Sequence, residues 1–268
     1  MSSIRTSPDP ATADGPAGSS TLNRALEVLE ALAEDGNGGA TASTIAAHTG
    51  VNRVTVHRIL NTFKAFGLVR QDGAGAPYKL GFRFVELGEL VLDELDLARL
   101  GQPVLERLAE ETGETAHLAI LDGAELVYVA KAESSHAVRL VSRIGLRAPL
   151  YCTSLGKALL AAGPPGADSL VDAQLFVPRT DRTHRDADSL RSDLVAIRRR
   201  GFAIDHGENE NGVHCVAAAV VDHAGAPIGA LSISGPDSRI PEERFEEFGI
   251  LVAKHAREVS EAFGAAPP

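Results

Sequence analysis

From Thr21 onward apolar residues recur at helical spacing, with Leu22, Leu26, Leu29 and Ala33 on one stripe and Ala25 and Leu32 beside it. This predicts a first helix packed through that stripe and ended by the turn-forming "DGNGG" at 35–39. "TASTIAAHTG" predicts a second, shorter helix, with Thr41 as N-cap and Gly50 as stop. A third follows at once in "NRVTVHRILNTFKAFG" (52–67), where Asn52 suits a cap and Gly67 closes the pattern. Two short strands, Leu68–Gln71 and Tyr78–Leu80, then flank a turn bearing Gly and Pro, which reads as a β-hairpin. Three helices and a hairpin in this order predict a winged helix-turn-helix.

"FRFVELGELVLDELDLARLG" (82–101) is helical again and predicts a linker helix. Beyond it the pattern alternates. "PVLERLAEETG", "SLGKALLAA" and "DADSLRSDLVAIRRRG" read as helices, while "TAHLAILDG", "AELVYVAKAE" and "AVRLVSRIG" read as strands. "VHCVAAAVVDHAGAPIGALSISG" reads as an antiparallel hairpin, and a last helix spans roughly 241–263. Meandering strands with helices between them predict an α+β domain around a central antiparallel sheet. The expected division is a disordered leader at 1–20, the winged helix-turn-helix at 21–81, the linker at 82–101, a second domain at 102–263 and a short tail at 264–268.

Charge sharpens that division. The whole chain carries a net charge of −10, yet the first 84 residues sum to +1 and the remaining 184 to −11. A near-neutral module joined to a strongly acidic one implies two tasks rather than a surface that grips nucleic acid throughout. No apolar run approaches the roughly 18 residues of a membrane span. The first twenty residues lack the apolar segment of a signal peptide, and two cysteines, Cys152 and Cys215, suit a reducing compartment, so a cytoplasmic protein is expected.

On the third helix Val56, Ile59, Leu60 and Phe63 form one apolar stripe. The opposite side carries Val54, Arg58 and Asn61, with Thr55 and His57 on its flanks and Arg53 near the N-terminal end. Guanidinium, amide, hydroxyl and methyl groups together are what reads base edges in a major groove. Arg70 and Lys79 on the hairpin are placed to neutralise flanking phosphates. A balance of only +1 makes one copy a weak binder, so two copies on half-sites about 10 bp apart, or a multiple, are expected.

"SLGKALLAAGPPG" (154–166) raises the question of catalysis. Ser154 and Lys157 have Ser-x-x-Lys spacing, but the chain has "SDL" rather than Ser-Asp-Asn and no Lys-Thr-Gly. Gly156-Lys157 resembles the end of a phosphate loop, but Ala158 follows where Ser or Thr is needed, and Tyr151 stands where the first glycine belongs. Neither enzymatic motif is complete, and no catalytic residue is expected. Lys157 is expected to attract an anion or to lie exposed. His206, His214, Cys215 and His223 lack the paired spacing of a structural zinc site, so neither a metal nor a cofactor is expected. "RRR" at 198–200 reads as the solvated end of a helix.

Several segments in order, "TLNRALEVLEALAED", "ASTIAAHTGVNRVTVHRIL", "YKLGFRFVELG", "EETGETAHLAILDG", "VRLVSRIGLRAPLYCTSLGKALLA" and "LRSDLVAIRRRGFAIDHGENENGVHCVAAAVVDHAGAPIGALSISGP", resemble the IclR family of bacterial transcription regulators from about residue 21 to 263. The resemblance implies a winged helix-turn-helix, a linker helix and a GAF-like effector-binding domain. It also implies homodimers or homotetramers on palindromic double-stranded DNA operators, answering to small organic or aromatic acids. Carried over by position, it implies an effector site made of Leu140, Ser154, Leu155, Asp205, Cys215, Ser232 and Ser234. The chain departs from the family at His206-Gly207, where an acidic pair is common, and at Tyr151, where many members have His. The favoured expectation is a ligand-responsive, DNA-binding regulator, more often a repressor. The alternatives are a hydrolase using Ser154, Lys157 or Cys215, and a sensor or interaction module that binds no DNA.

Overall fold

The computed structural model describes residues 20–34, 38–73, 75–94, 96–137, 142–164 and 166–265. The expected leader therefore lies almost wholly outside the described residues. The chain forms two compact units, residues 1–94 and 95–268.

In the first unit, helix α1 (Ser20–Glu34) leads to α2 (Ala42–Thr49) and α3 (Arg53–Ala65). Strands β1 (Val69–Gln71) and β2 (Tyr78–Leu80) pair antiparallel as the wing, and α4 (Arg83–Glu94) follows. The caps fall where the sequence places them. Thr41 accepts from the Thr44 N–H at 3.1 Å, and Asn52 accepts from the Val54 N–H at 2.9 Å. Gly50 ends α2 at φ +69°, a left-handed conformation that favours glycine, and so turns the chain into α3 within two residues. The core joins Val28, Ala31 and Leu32 of α1 to Ile45, Val56, Ile59, Leu60, Val69 and Tyr78. This corrects the expected α1 stripe: Leu22, Leu26 and Ala33 face outward, while Val28, Ala31 and Leu32 are buried, because α1 is apolar on two adjoining sides.

The second unit begins with α5 (Asp96–Thr112). The linker helix expected over 82–101 and the helix expected from Pro103 do not divide there: α5 runs through Gly101 and Pro103, and Gly101 packs so tightly on Leu118 that a Cβ there would strike its side chain. Strands β3 (Thr115–Asp122), β4 (Glu125–Ala132) and β5 (Arg147–Pro149) precede α6 (Ser154–Ala161), α7 (Ala167–Asp172) and α8 (Ala187–Arg200). Strands β6 (Ala203–His206), β7 (Val213–Val221) and β8 (Pro227–Pro236) and helix α9 (Phe245–Ala262) complete it. The six strands form one antiparallel sheet in the order β5-β4-β3-β8-β7-β6. Of the strand expected in "AVRLVSRIG" (137–145), residues 138–141 lie outside the described residues and 142–145 form no strand; β5 follows at Arg147–Pro149.

Strand alternation divides the sheet's side chains between two cores. One face sends Leu118, Val216, Ala218, Leu231 and Ile233 against α5 and α9. The other sends the small residues Ala119, Ala203, Ala217 and Ala230 toward α6. Alanines on that face let α6 lie close. Gly156 carries this further, since a Cβ at that position would run into the Leu150 backbone. No described helix is long and apolar enough to cross a membrane.

Candidate functional sites: a reading helix and a polar row

On α3 the sides separate as the sequence implies. Val56, Ile59 and Leu60 are buried, whereas Arg53, Val54, His57, Arg58 and Asn61 are exposed and Thr55 is half-buried. Val54 is 78% exposed, a large apolar side chain held in water on a helix otherwise free to bury it. Asn61 Nδ2 lies 3.1 Å from His57 Nδ1, which holds the amide in one orientation on the outer face.

The wing differs from expectation in one respect. Arg70 Nη1 bonds Asp72 Oδ1 at 2.6 Å and Lys79 Nζ bonds Asp72 Oδ2 at 3.2 Å, so one carboxylate holds both cations meant for phosphates. Exposed pairs of this kind are weak, and a phosphate competes with the carboxylate for the same donors. Asp72→Asn is therefore expected to tighten binding to a random duplex by about threefold to tenfold and to steepen its salt dependence. Fluorescence anisotropy at two or three salt concentrations checks this; unchanged affinity would show that the wing does not touch phosphate.

In the second unit, sheet register brings distant residues into line. Asp205 of β6 pairs with Cys215 of β7, Cys215 with Ser234 of β8, and Ser234 with Thr115 of β3. A parallel line two residues along runs Ala203, Ala217, Ser232 and His117. Both lines share the face that carries α6. At the start of α6, Thr153 caps the helix by accepting from the Gly156 N–H at 3.1 Å and donates to Pro149 O at 2.6 Å. Ser154 and Leu155 supply the first two N–H groups of that helix, which have no acceptor within it.

The row is polar, buried and mostly uncharged. Burial pushes the Cys215 thiol well above its usual range and the Cys152 thiol up to about 12, so both stay protonated. Burial also raises the Tyr128 hydroxyl, with the nearby Cys215, Asp205 and Cys152 adding to the effect. His117 is held neutral, its pKa lowered to about 3 by burial and then by Lys131. One imidazole nitrogen, Nε2, meets Ser142 Oγ at 2.7 Å; the other, Nδ1, is buried without a partner, as is Ser232 Oγ. Cys215 and Tyr128 are half-buried although each sits on an interior strand. Asp205 differs: burial and then the Glu208 carboxylate push it up to about 7, against Lys157 and the N–H groups of Glu208 (2.7 Å) and Asn209 (3.3 Å) on Oδ1.

Six of the seven expected effector residues thus converge on one face, in the sheet or at the start of α6. Leu140 lies outside the described residues. His117, Tyr128, Cys152 and Thr115 were not anticipated. A signal for two of them was present, since Thr115 and His117 alternate in an apolar strand as Ser232 and Ser234 do.

Lys157 is neither exposed nor available to an anion. It is 0% exposed, and Nζ bonds Asp193 Oδ2 at 2.7 Å and Glu208 Oε1. Burial opposes its charge, yet Glu208 and Asp193 outweigh burial and hold the ammonium above its usual range. It is directed to those carboxylates as a cation, so the Ser-x-x-Lys spacing yields no base for Ser154. Cys215, half-buried and with its thiol held well above the usual range, is likewise no nucleophile.

The chain matches the family model for the IclR helix-turn-helix domain over residues 21–73 and that for the bacterial transcriptional regulator IclR C-terminal domain over 89–261. It is 34% identical to the transcriptional repressor IclR of Escherichia coli K12 over 95% of this chain and 94% of that one. It is likewise 34% identical to the regulator KdgR of the same organism, over 91% and 93%. The crystal structure of Thermotoga maritima IclR superposes with a TM-score of 0.78 at 31% identity, covering 91% of this chain and 98% of the other. An IclR homologue from Microbacterium hydrocarbonoxydans, complexed with 4-hydroxybenzoate, shares the fold with a TM-score of 0.79 at 24% identity, covering 92% and 100%. The two Escherichia coli relatives are named as transcriptional regulators. With both domain models matched in order and whole-length relatives above 30% identity, the chain belongs to the IclR family of bacterial transcription regulators.

Proposed function

We propose that this regulator is a repressor, as relatives named repressors are, and that it grips a palindromic operator as a dimer or a dimer of dimers. In this reading Arg53, Val54, Thr55, His57, Arg58 and Asn61 enter the major groove, and Arg70 and Lys79 contact phosphate. The observation that carries it is the exposed outer face of α3, polar save for Val54, on a helix whose other face buries Val56, Ile59 and Leu60 with Phe63 half-buried. Exposed apolar groups elsewhere in this unit support self-association. Leu22 and Leu26 on α1, Phe82 before α4, and Val85 and Leu90 on α4 are each about half exposed or more.

The effector, a small carboxylic or phenolic acid, sits against the Asp205, Cys215, Ser234 and Ser232 row. Its anionic end meets the Ser154 and Leu155 N–H groups, where a helix start favours negative charge. Its binding is coupled to operator affinity through the connecting helical segment. A 100-fold change in that affinity requires about 2.7 kcal/mol of coupling, within reach of one small ligand.

Arg58→Ala is expected to weaken binding to a palindrome near the protein's own gene by about 10- to 100-fold while leaving thermal stability unchanged, since Arg58 is exposed. Gel-shift titration against random duplex measures it. Equal, non-selective binding by both proteins would refute the DNA-reading assignment. A thermal-shift screen of small carboxylic and phenolic acids, 4-hydroxybenzoate included, tests the effector half.

A further inference from the structure

Beside Lys157 of α6, the chain brings together donors that no motif in the sequence announces. His184 precedes α8, Asp193 lies within α8, and Glu208 sits in the turn between β6 and β7. His184 Nε2 is 3.5 Å from Asp193 Oδ2 and 3.5 Å from Glu208 Oε2. One ligand atom from each residue lies within 4.8 Å of the other two. Glu208 is only 7% exposed, yet its Oε2 has no hydrogen-bond partner, and neither does His184 Nε2.

These separations are too long for a hydrogen bond of ordinary strength between an imidazole and a carboxylate. They match the edge of a tetrahedron around an ion with bonds of 2.0–2.1 Å, which is about 3.4 Å. Lys157 bonds Glu208 through its other oxygen, Oε1, and shares Asp193 Oδ2 with the cluster, while Arg200 Nη2 lies 3.4 Å from Asp193 Oδ1. A histidine that coordinates a metal does so through an unprotonated ring nitrogen.

The frame around the donors is rigid. Thr180 Oγ1 donates to Gly207 O at 2.7 Å, Thr183 Oγ1 to Glu208 O at 2.6 Å, and Arg179 Nε to Asn209 O at 3.2 Å. These bonds stitch the segment bearing His184 onto the turn bearing Glu208, the kind of outer support that orients metal ligands. His184 and Asp193 retain 17% and 20% side-chain exposure, which leaves a path for an ion from solvent.

We propose that His184, Asp193 and Glu208 form a binding site for one divalent transition cation of the zinc class, with water completing the shell. One imidazole and two carboxylates suit zinc or manganese, and are too few oxygens for calcium. The neighbouring Lys157 ammonium weakens the site, so it exchanges its ion rather than holding it permanently. A bound ion staples α8 to the β6–β7 turn, whose Glu208 N–H is held by Asp205 of the polar row.

The full chain is stripped with a chelator and dialysed against micromolar zinc, and retained metal is counted by elemental analysis. The wild type is expected to keep about one zinc per chain and to melt about 3 °C higher with zinc than without. His184→Gln and Asp193→Asn are each expected to reduce retention at least tenfold and to abolish the zinc-dependent shift, with metal-free melting recorded alongside to verify folding. The proposal is overturned if the wild type retains less than a tenth of an equivalent, which would make the cluster an ion-pair network only. It is equally overturned if both variants retain as much zinc as the wild type, which would put the metal on other histidines.

Discussion

Lys157→Met is expected to destabilise the second unit by about 3–5 kcal/mol, the cost of leaving buried carboxylates without their cation. The side chain is 0% exposed and is the only described cation bonded to both Asp193 and Glu208. Methionine nearly matches its volume, so the loss is electrostatic rather than a cavity. Adding Glu208→Gln to the Lys157→Met chain should recover part of the loss, because it removes one of the stranded charges. Urea unfolding of single and double variants at neutral pH measures both effects. A contrast lies on the surface, where Arg191 pairs with Asp172 at 2.5 Å but both are well exposed. Arg191→Ala should leave stability nearly unchanged. Should Lys157→Met prove as mild, the buried network would contribute little to the fold. Its pH window follows from the directions of the shifts. Lys157 is raised, so its contribution is complete below the ordinary lysine value and is lost as pH rises above it. Asp193 is lowered, through His184 and Lys157 against the opposing and largest effect of burial, so its contribution is present above the ordinary aspartate value and is lost in acid.

Asp205 has the opposite sign. Its carboxyl is pushed from 3.8 up to about 7, so the folded chain binds a proton that the unfolded chain has released. Stability therefore falls as pH rises from about 4 to 7 and is level with respect to this group above that, by up to roughly 4 kcal/mol for three pH units. Asp205→Asn keeps an acceptor for the Glu208 and Asn209 N–H groups and removes the charge. The variant should match the wild type near pH 4 and exceed it at pH 8. Urea midpoints of the two proteins at pH 4, 6 and 8 isolate this group, because every other carboxyl is common to both. Parallel curves would show that the folded chain carries Asp205 ionised throughout. The same substitution probes the proposed effector row, since a neutral side chain at 205 removes repulsion toward an anionic ligand.

Local chemistry determined most of the elements. Thr41, Gly50 and Asn52 set the helix-turn-helix because caps and left-handed glycines act within four residues of themselves. The α3 faces were readable because period 3.6 maps position to direction without any knowledge of partners. Ser232 and Ser234 could be assigned to a common face for the same reason, with period 2. Where a helix is apolar on more than one side, periodicity leaves the choice to its neighbours, which is why Leu22 and Leu26 of α1 proved exposed.

Sheet register and helix packing decided the rest. Asp205, Cys215, Ser234 and Thr115 span 119 positions of sequence and meet only because β6, β7, β8 and β3 lie side by side. Lys157 looked like an anion-binding or solvent-facing lysine until α8 and the β6–β7 turn closed over it. His184, Asp193 and Glu208 carry no recognisable spacing at all. Charge pairing in a low-dielectric interior depends on three-dimensional proximity, and no residue's identity states who its distant neighbours are.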